Sequence, residues 1–337
     1  MRRAALCLCL ALWAPGALAQ APRLPFPLRG PAARPTPAEV EFSAGDSLMQ
    51  RGDLAGALPR FEAARRLDPR DARPVFYLGE VAFRQGRHAD AEALFREALR
   101  LQPTLAEARA ELGATLRELH RCAEAIPELE AALRTTPSLG EAHTTLGQCA
   151  EDGHDTPRAL TAYRAAQRSL PDDPLPGLYL GLLLASGDPP AGSPLRNEAL
   201  QALRGAVRRG DRDASVLALA GPALRRLGDP RGAVLALERA RSLQRPPTAA
   251  VLGELAQALA ASGQLPAARA RVDEALGLAP QEANLHYLSG LIRAAAGDVP
   301  GAMDAFRAVL RLSPQDPLAA RARARLTSLG TQGARRP

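Results

Sequence analysis

The sequence predicts an all-α chain built as a solenoid of repeated helix pairs. Three observations predict it. Pro69, Pro103, Pro137 and Pro171 follow one another at steps of 34 residues. Gly45, Gly79, Gly113 and Gly147 keep that step, as do Ala57, Ala91, Ala125 and Ala159, and Ala64, Ala98, Ala132 and Ala166. Within one period, 72–105, two apolar stripes at helical spacing flank a break at Gln85-Gly86-Arg87. The first stripe is Val75, Leu78, Gly79 and Ala82; the second is Ala91, Leu94, Phe95, Ala98 and Leu99. A fixed period of this length with a helix–turn–helix inside it marks a repeat architecture.

The residue types follow from the packing. Glycine inside a helix costs about 1 kcal/mol relative to alanine. Its recurrence at Gly79 and its equivalents implies that the two helices of a pair approach closely there. The paired alanines of the second helix serve the same contact, and the bulky residue between them (Phe61, Phe95, Leu129 or Tyr163) fills the remaining groove. Proline closes each second helix because it cannot continue the hydrogen-bond ladder. Each pair has an apolar face it cannot bury alone, so the pairs stack.

Leu78-Gly79, Ala91, Phe95, Ala98 and Pro103 resemble the tetratricopeptide repeat position for position. The resemblance implies an all-α, right-handed α-solenoid of about eight tetratricopeptide helix-turn-helix repeats plus a C-terminal capping helix. The repeats are read at 38–71, 72–105, 106–139, 140–173, 174–211, 214–247, 249–282 and 283–316, with the cap at 317–329. Repeat 5 keeps Leu180-Gly181 and then Ala199, Leu203 and Ala206, with six residues inserted around 188–194; that Pro- and Gly-rich segment predicts a longer turn. Repeat 6 moves its closing proline to Pro246, and repeat 7 has Ala256 at the glycine position with Val272 opposite.

The ends read differently. Met1–Ala19 reads as a secretory signal peptide: Arg2 and Arg3, then an apolar run over 4–14, then Ala17-Leu18-Ala19 before Gln20. That run is far shorter than the roughly 20 residues that span a bilayer. Residues 20–37 form a Pro-rich linker without an acidic residue, and 330–337 a loose tail. The expected location is therefore outside the cytoplasm, periplasmic or secreted, in a Gram-negative bacterium, with no transmembrane segment after cleavage.

The formal net charge is +7, from 43 basic and 36 acidic residues, and every basic residue is arginine. Ten of the arginines lie before residue 38 or after residue 320, leaving 33 against all 36 carboxylates in the solenoid body. A nucleic-acid binder concentrates basic charge on a folded face; this chain does not, so nucleic acid is not an expected partner. Cys122 opens the second helix of repeat 3 and Cys149 lies late in the first helix of repeat 4, at the same end of the stack. In an oxidising compartment they form either a Cys122–Cys149 disulfide or two buried thiols. His120 and His154 sit in nearby turns, but no zinc spacing is present, and no metal or cofactor is expected.

His-Glu-x-x-His, Gly-x-Ser-x-Gly, the P-loop and the dinucleotide glycine fingerprint are all absent, so no catalytic residue is assigned and an enzyme is not expected. In the family resembled, the first helix of each repeat lines a concave groove. Carried over by position, repeats 1 and 2 offer Phe42, Asp46, Met49, Arg73, Phe76, Tyr77, Glu80, Phe83 and Arg84, of which only some can face the groove. Repeats 3 and 4 offer Glu111, Arg117, Thr144, Gln148, Glu151 and Asp152; repeats 5 and 8 offer Leu178, Tyr179, Leu182, Tyr287 and Leu291. Such a groove suits an extended peptide or a partner helix. The lysine and asparagine clamp that some members use for a chaperone C-terminus is absent. The resemblance thus implies a non-enzymatic interaction scaffold in an envelope complex. The alternatives are an accessory of outer-membrane assembly or polysaccharide secretion, or a self-assembling structural protein.

Overall fold

The computed structural model describes residues 35–333. The expected signal peptide, residues 20–34 and the last four residues lie outside the described residues. Seventeen helices and no strand occur among the described residues. They pair in chain order: α1 (Pro37–Gln50) with α2 (Leu54–Leu67), α3 (Ala72–Arg84) with α4 (His88–Leu101), α5 (Ala106–Glu118) with α6 (Cys122–Thr135) and α7 (Gly140–Asp152) with α8 (Thr156–Ser169). Then follow α9 (Pro174–Ser186) with α10 (Pro194–Arg209), α11 (Ala214–Arg226) with α12 (Pro230–Leu243), α13 (Ala249–Ala261) with α14 (Leu265–Leu278) and α15 (Ala283–Ala295) with α16 (Val299–Leu312). A final helix, α17 (Pro317–Gly333), packs on α16. It runs past Leu329, where the sequence reading stopped it. The first helix opens inside the segment read as linker. Thr36 caps it, its Oγ1 accepting from the Glu39 N–H at 3.2 Å while the Glu39 carboxylate accepts from the Thr36 N–H at 2.8 Å, a reciprocal capping box.

The glycine positions work as steric windows. A Cβ on Gly79 would stand 2.6 Å from Phe95 Cε1, inside van der Waals contact. Phe95 is fully buried between Ala91 and Ala98, which are buried too. Repeat 7 inverts the arrangement: Ala256 tolerates a methyl because the residue opposite is Val272, and both are fully buried. A smaller partner on α14 removes the need for glycine on α13.

The six-residue insertion of repeat 5 divides in two. The turn between α9 and α10 is four residues longer than the three-residue turns elsewhere, and α10 begins two residues earlier relative to Ala199. Arg196 ties the long turn down, donating to the Pro189 carbonyl at 2.9 Å and to the Leu227 carbonyl at 3.0 Å.

Among the odd-numbered helices α3 approaches α5, α5 approaches α7, α9 approaches α11, α11 approaches α13 and α13 approaches α15, whereas no two even-numbered helices approach to the same extent. The odd layer is therefore the inside of the curve and the even layer the outside. Ion pairs bridge the splayed outer layer: Arg65–Glu97 at 2.7 Å, Arg121–Glu92 at 2.8 Å, Arg164–Glu198 at 2.7 Å, and Arg158–Glu130. Each half-exposed pair adds ~0–1 kcal/mol.

Candidate functional site

The concave face is the surface of α1, α3, α5, α7 and α9, so a groove position is tested by what its side chain touches there. Two of the nine residues expected in repeats 1 and 2 leave the groove. Met49 is 7% exposed and Phe76 is 4% exposed. The Phe76 ring packs 5.7 Å from Phe95 and belongs to the core that α3 shares with α5. Both point between helices because the odd layer is covered on two sides by its own pair and the next one. Phe42, Tyr77 and Phe83 are half-buried. Phe42 and Tyr77 meet edge-on at 5.4 Å, Tyr77 stacks on Phe61 at 5.3 Å, and Phe83 lies 5.3 Å from His88. The Arg73 guanidinium sits 4.9 Å over the Phe42 ring, a cation–π contact, and is held there by Asp71 at 2.7 Å. Arg84 is exposed, and Asp46 accepts from Gln50 Nε2 at 2.7 Å.

Carboxylates form the groove's second feature. Asp46 of α1, Glu80 of α3, Glu111 of α5, Glu141 of α7 and Asp173, which caps α9, make an interacting row along the odd layer. Burial pushes Glu80 up to about 7, with Glu141 and Asp46 adding to the rise and Arg84 opposing it. Burial pushes Glu111 up to about 8, reinforced by Glu80 and Glu141 and again opposed by Arg84. Burial also raises Glu141, with Asp173 contributing, and raises Asp173 itself, which the Leu175 N–H counteracts. Glu80 and Glu111 keep a little accessible surface, yet the concave walls crowd their carboxylates and strip much of their hydration. Neither they nor Glu141 has a side-chain hydrogen bond or an ion pair. Glu92 on the outer layer makes the contrast: it is 8% exposed and is paired with both Arg121 and Arg96.

From the end of α7 into α9 the groove gains tyrosine and leucine side chains. Glu151 accepts from the Tyr163 hydroxyl at 2.9 Å, and burial raises its carboxyl. Tyr179 lies 5.6 Å from Tyr163, next to half-buried Leu182. Leu178 is 1% exposed and belongs to the core instead. Glu80 and Glu111 were named from repeat position alone. Glu141 and Asp173 were missed. Glu141 holds the same repeat position as Arg73, so the positional rule reached it, but one residue at a time the rule does not reveal a row.

Cys122 and Cys149 are brought together across the α6–α7 junction with Cα atoms 5.1 Å apart, within the reach of a disulfide. His120 and His154 occupy the left-handed turn position, at φ 58° and 59°, where repeats 1, 2, 6, 7 and 8 use glycine. Among the described residues, no group of three or more His, Cys, Asp or Glu is arranged to hold a metal ion, and no helix is long and apolar enough to cross a membrane.

A family model described as tetratricopeptide repeat matches residues 42–106, 110–174, 218–281 and 254–317. A search of curated proteins finds no match. Among solved structures the chain is similar to the Cut9–Hcn1 hetero-tetramer of APC/C, at TM-score 0.52 and 18% identity over 87% of this chain and 56% of that one. It therefore spans little more than half the length of that relative. It is also similar to PilW, described as a widely conserved type IV pilus biogenesis factor, at TM-score 0.55 and 20% identity, covering 66% of this chain and 98% of that one. At these identities the likeness is one of fold.

Proposed function

The chain belongs to the tetratricopeptide repeat family, and we propose that it is a non-enzymatic protein–protein interaction scaffold of the cell envelope, taking an extended peptide or a partner helix in its concave groove. One observation carries this reading. The inner face of repeats 1 and 2 presents half-buried aromatics, and Glu80, Glu111 and Glu141 on the same layer lack an ion pair, while several acids of the outer layer are paired with arginines of neighbouring repeats. Unsatisfied polar groups beside accessible ring surface are what a partner would complete. The envelope assignment rests on the signal-peptide reading of residues 1–19. Self-assembly through the solenoid end has less support, because α17 exposes Arg321, Arg323 and Arg325, which repel the same face of a second copy.

The test is capture from native envelope extract. The mature chain is the bait, and a folded Phe42→Ala/Phe83→Ala variant is the control. A partner held by the first and lost by the second supports the groove. A partner held equally by both places the contact elsewhere.

A further inference from the structure

The near balance of charge in the solenoid body hides a segregation. Residues 196–245 hold 11 arginines against five carboxylates, while the rest of 38–320 holds 22 against 31. Most of the five acids are engaged. Glu198 pairs with Arg164 at 2.7 Å and Glu238 with Arg241 at 2.9 Å. Asp213 caps α11, and Asp229 caps α12 while accepting from Arg204. Among the described residues Arg208, Arg212 and Arg231 have neither a hydrogen bond nor an ion pair, and all three are exposed.

These side chains share the outer face of repeats 5 and 6, and two contacts fix how its helices lie together. Arg204 of α10 donates through Nε to Asp229 Oδ2 at 2.8 Å, where α12 begins. Arg239 of α12 donates through Nε to the Asp211 carbonyl at 2.9 Å, just after α10 ends. Arg231 therefore lies by the first contact and Arg212 by the second, about 12 Å apart by the helical rise from 231 to 239. Arg208 lies between them on α10 and borders the same shallow depression as Arg204. Both contacts use Nε, which leaves the Nη groups of Arg204 and Arg239 to another acceptor. Leu235 stands between the two contacts, one turn from Arg231 and one from Arg239 on the same stripe of α12. It is 72% exposed, more than any other large apolar side chain among the described residues.

Five cations around an apolar tip fit a surface that offers many phosphates with hydrocarbon beneath them. Arginine takes phosphate through its planar fork, and a leucine that dips into the acyl boundary gains the burial it lacks here. Nucleic acid supplies the charge without an apolar layer. A protein would have to pair a pocket for Leu235 with acids placed around it; a bilayer presents both everywhere. We infer that the outer face of repeats 5 and 6 is a peripheral membrane-binding surface. Arg204, Arg208, Arg212, Arg231 and Arg239 engage the phosphates of anionic lipid headgroups, and Leu235 enters the acyl boundary. These outer helices then lie on the membrane, and the inner layer faces away from it. This goes beyond the scaffold reading and does not depend on it.

The test is co-sedimentation with vesicles of phosphatidylcholine, alone or with phosphatidylglycerol added. It uses the chain from Gln20 onward, which keeps every described helix and excludes the apolar run over 4–14. The chain binds the mixed vesicles and binds phosphatidylcholine alone at least about tenfold more weakly. Near an anionic surface each arginine is worth about fivefold. Arg208→Gln/Arg212→Gln/Arg231→Gln therefore loses at least about tenfold on the mixed vesicles. Arg311→Gln/Arg321→Gln/Arg325→Gln removes the same charge from the C-terminal end and changes little. Leu235→Ser keeps every charge and still weakens binding. The only tryptophan, Trp13, lies outside this stretch, so Leu235→Trp reports alone, and its emission shifts to the blue on the mixed vesicles. Circular dichroism checks that each variant is folded.

Failure to bind either vesicle, or equal binding to both, would overturn the proposal. So would equal losses in the two arginine variants, which would make net charge the cause and not this face. Unchanged binding by Leu235→Ser, together with tighter binding of a DNA duplex or a polyglutamate peptide through Arg208, Arg212 and Arg231, would assign the face to a soluble polyanion and overturn the membrane. None of these outcomes bears on the groove, which envelope capture tests separately.

Discussion

Glu80 of α3 raises the proton affinity of Glu111 on the neighbouring α5, on top of the rise that burial imposes on each, and neither has a bonded counter-ion. Their acid forms persist to about 7 and about 8, against about 4.3 for an unfolded glutamate. Between those limits the native state binds more protons than the unfolded state, so stability falls as pH rises. Carboxylates held low by neighbouring groups, Glu198 by Arg164 and Asp298 by the Gly301 N–H and nearby arginines, act oppositely. They lose their contribution only as pH falls below the ordinary carboxylate range. The free protein therefore melts at a higher temperature at pH 6 than at pH 8.5. Glu111→Gln raises the midpoint at pH 8.5 and flattens the profile. Thermal melts across this range check both. A profile unchanged by Glu111→Gln would mean that the groove carboxylates are well hydrated.

The Gly79–Phe95 and Ala256–Val272 contacts are two solutions of one packing problem. Gly79→Leu drives a branched side chain into Phe95 and destabilises by about 1–3 kcal/mol or more, the cost of overpacking. Val272→Phe in repeat 7 meets Ala256 and costs a similar amount, whereas Val272→Phe/Ala256→Gly recovers much of the loss. Denaturant melts of the two single variants and the double variant give the coupling directly. Additive effects would show that the window does not depend on the facing residue.

Phe76 and Phe83 separate the core from the groove. Phe76→Ala leaves a cavity between α3, α4 and α5 and costs about 3–5 kcal/mol. Phe83→Ala removes a half-buried ring and costs clearly less, while weakening partner capture. Urea midpoints of the two variants, measured side by side, check the order.

Cys122 and Cys149 are 27 residues apart in sequence. Joined, they close a loop whose loss costs about 2–4 kcal/mol. The protein isolated under oxidising conditions gains the mass of two hydrogens on reduction, and its melting temperature falls in dithiothreitol. Free thiols titrating in the unreduced, unfolded protein would show two cysteines that are merely adjacent.

Much of the fold was legible because its rule is periodic. Pro103, Gly79 and the alanines of α4 recur at one step, and each has a local steric reason that survives without tertiary information. Even the departures could be read: Ala256 appeared together with Val272, and the insertion of repeat 5 announced its longer turn. The site was less legible. Phe76 and Tyr77 are adjacent on α3, yet one is core and the other half-open, a distinction set by where the next pair packs. The row from Asp46 to Asp173 draws its members from different repeat positions, 9 for Glu80 and 6 for Glu111, with Asp173 in a helix cap. Only superhelical stacking aligns them, so no fixed spacing marks the row in the sequence.

The central claim is that a partner lies in the concave groove, and site-directed photo-crosslinking tests it most directly. A photoreactive residue is placed at Phe83 on the inner face and, separately, at Leu235, which is 72% exposed on the outer layer. In native envelopes the account predicts a discrete crosslinked species from position 83 and none from position 235. A species formed from Leu235 and absent from Phe83 would contradict it.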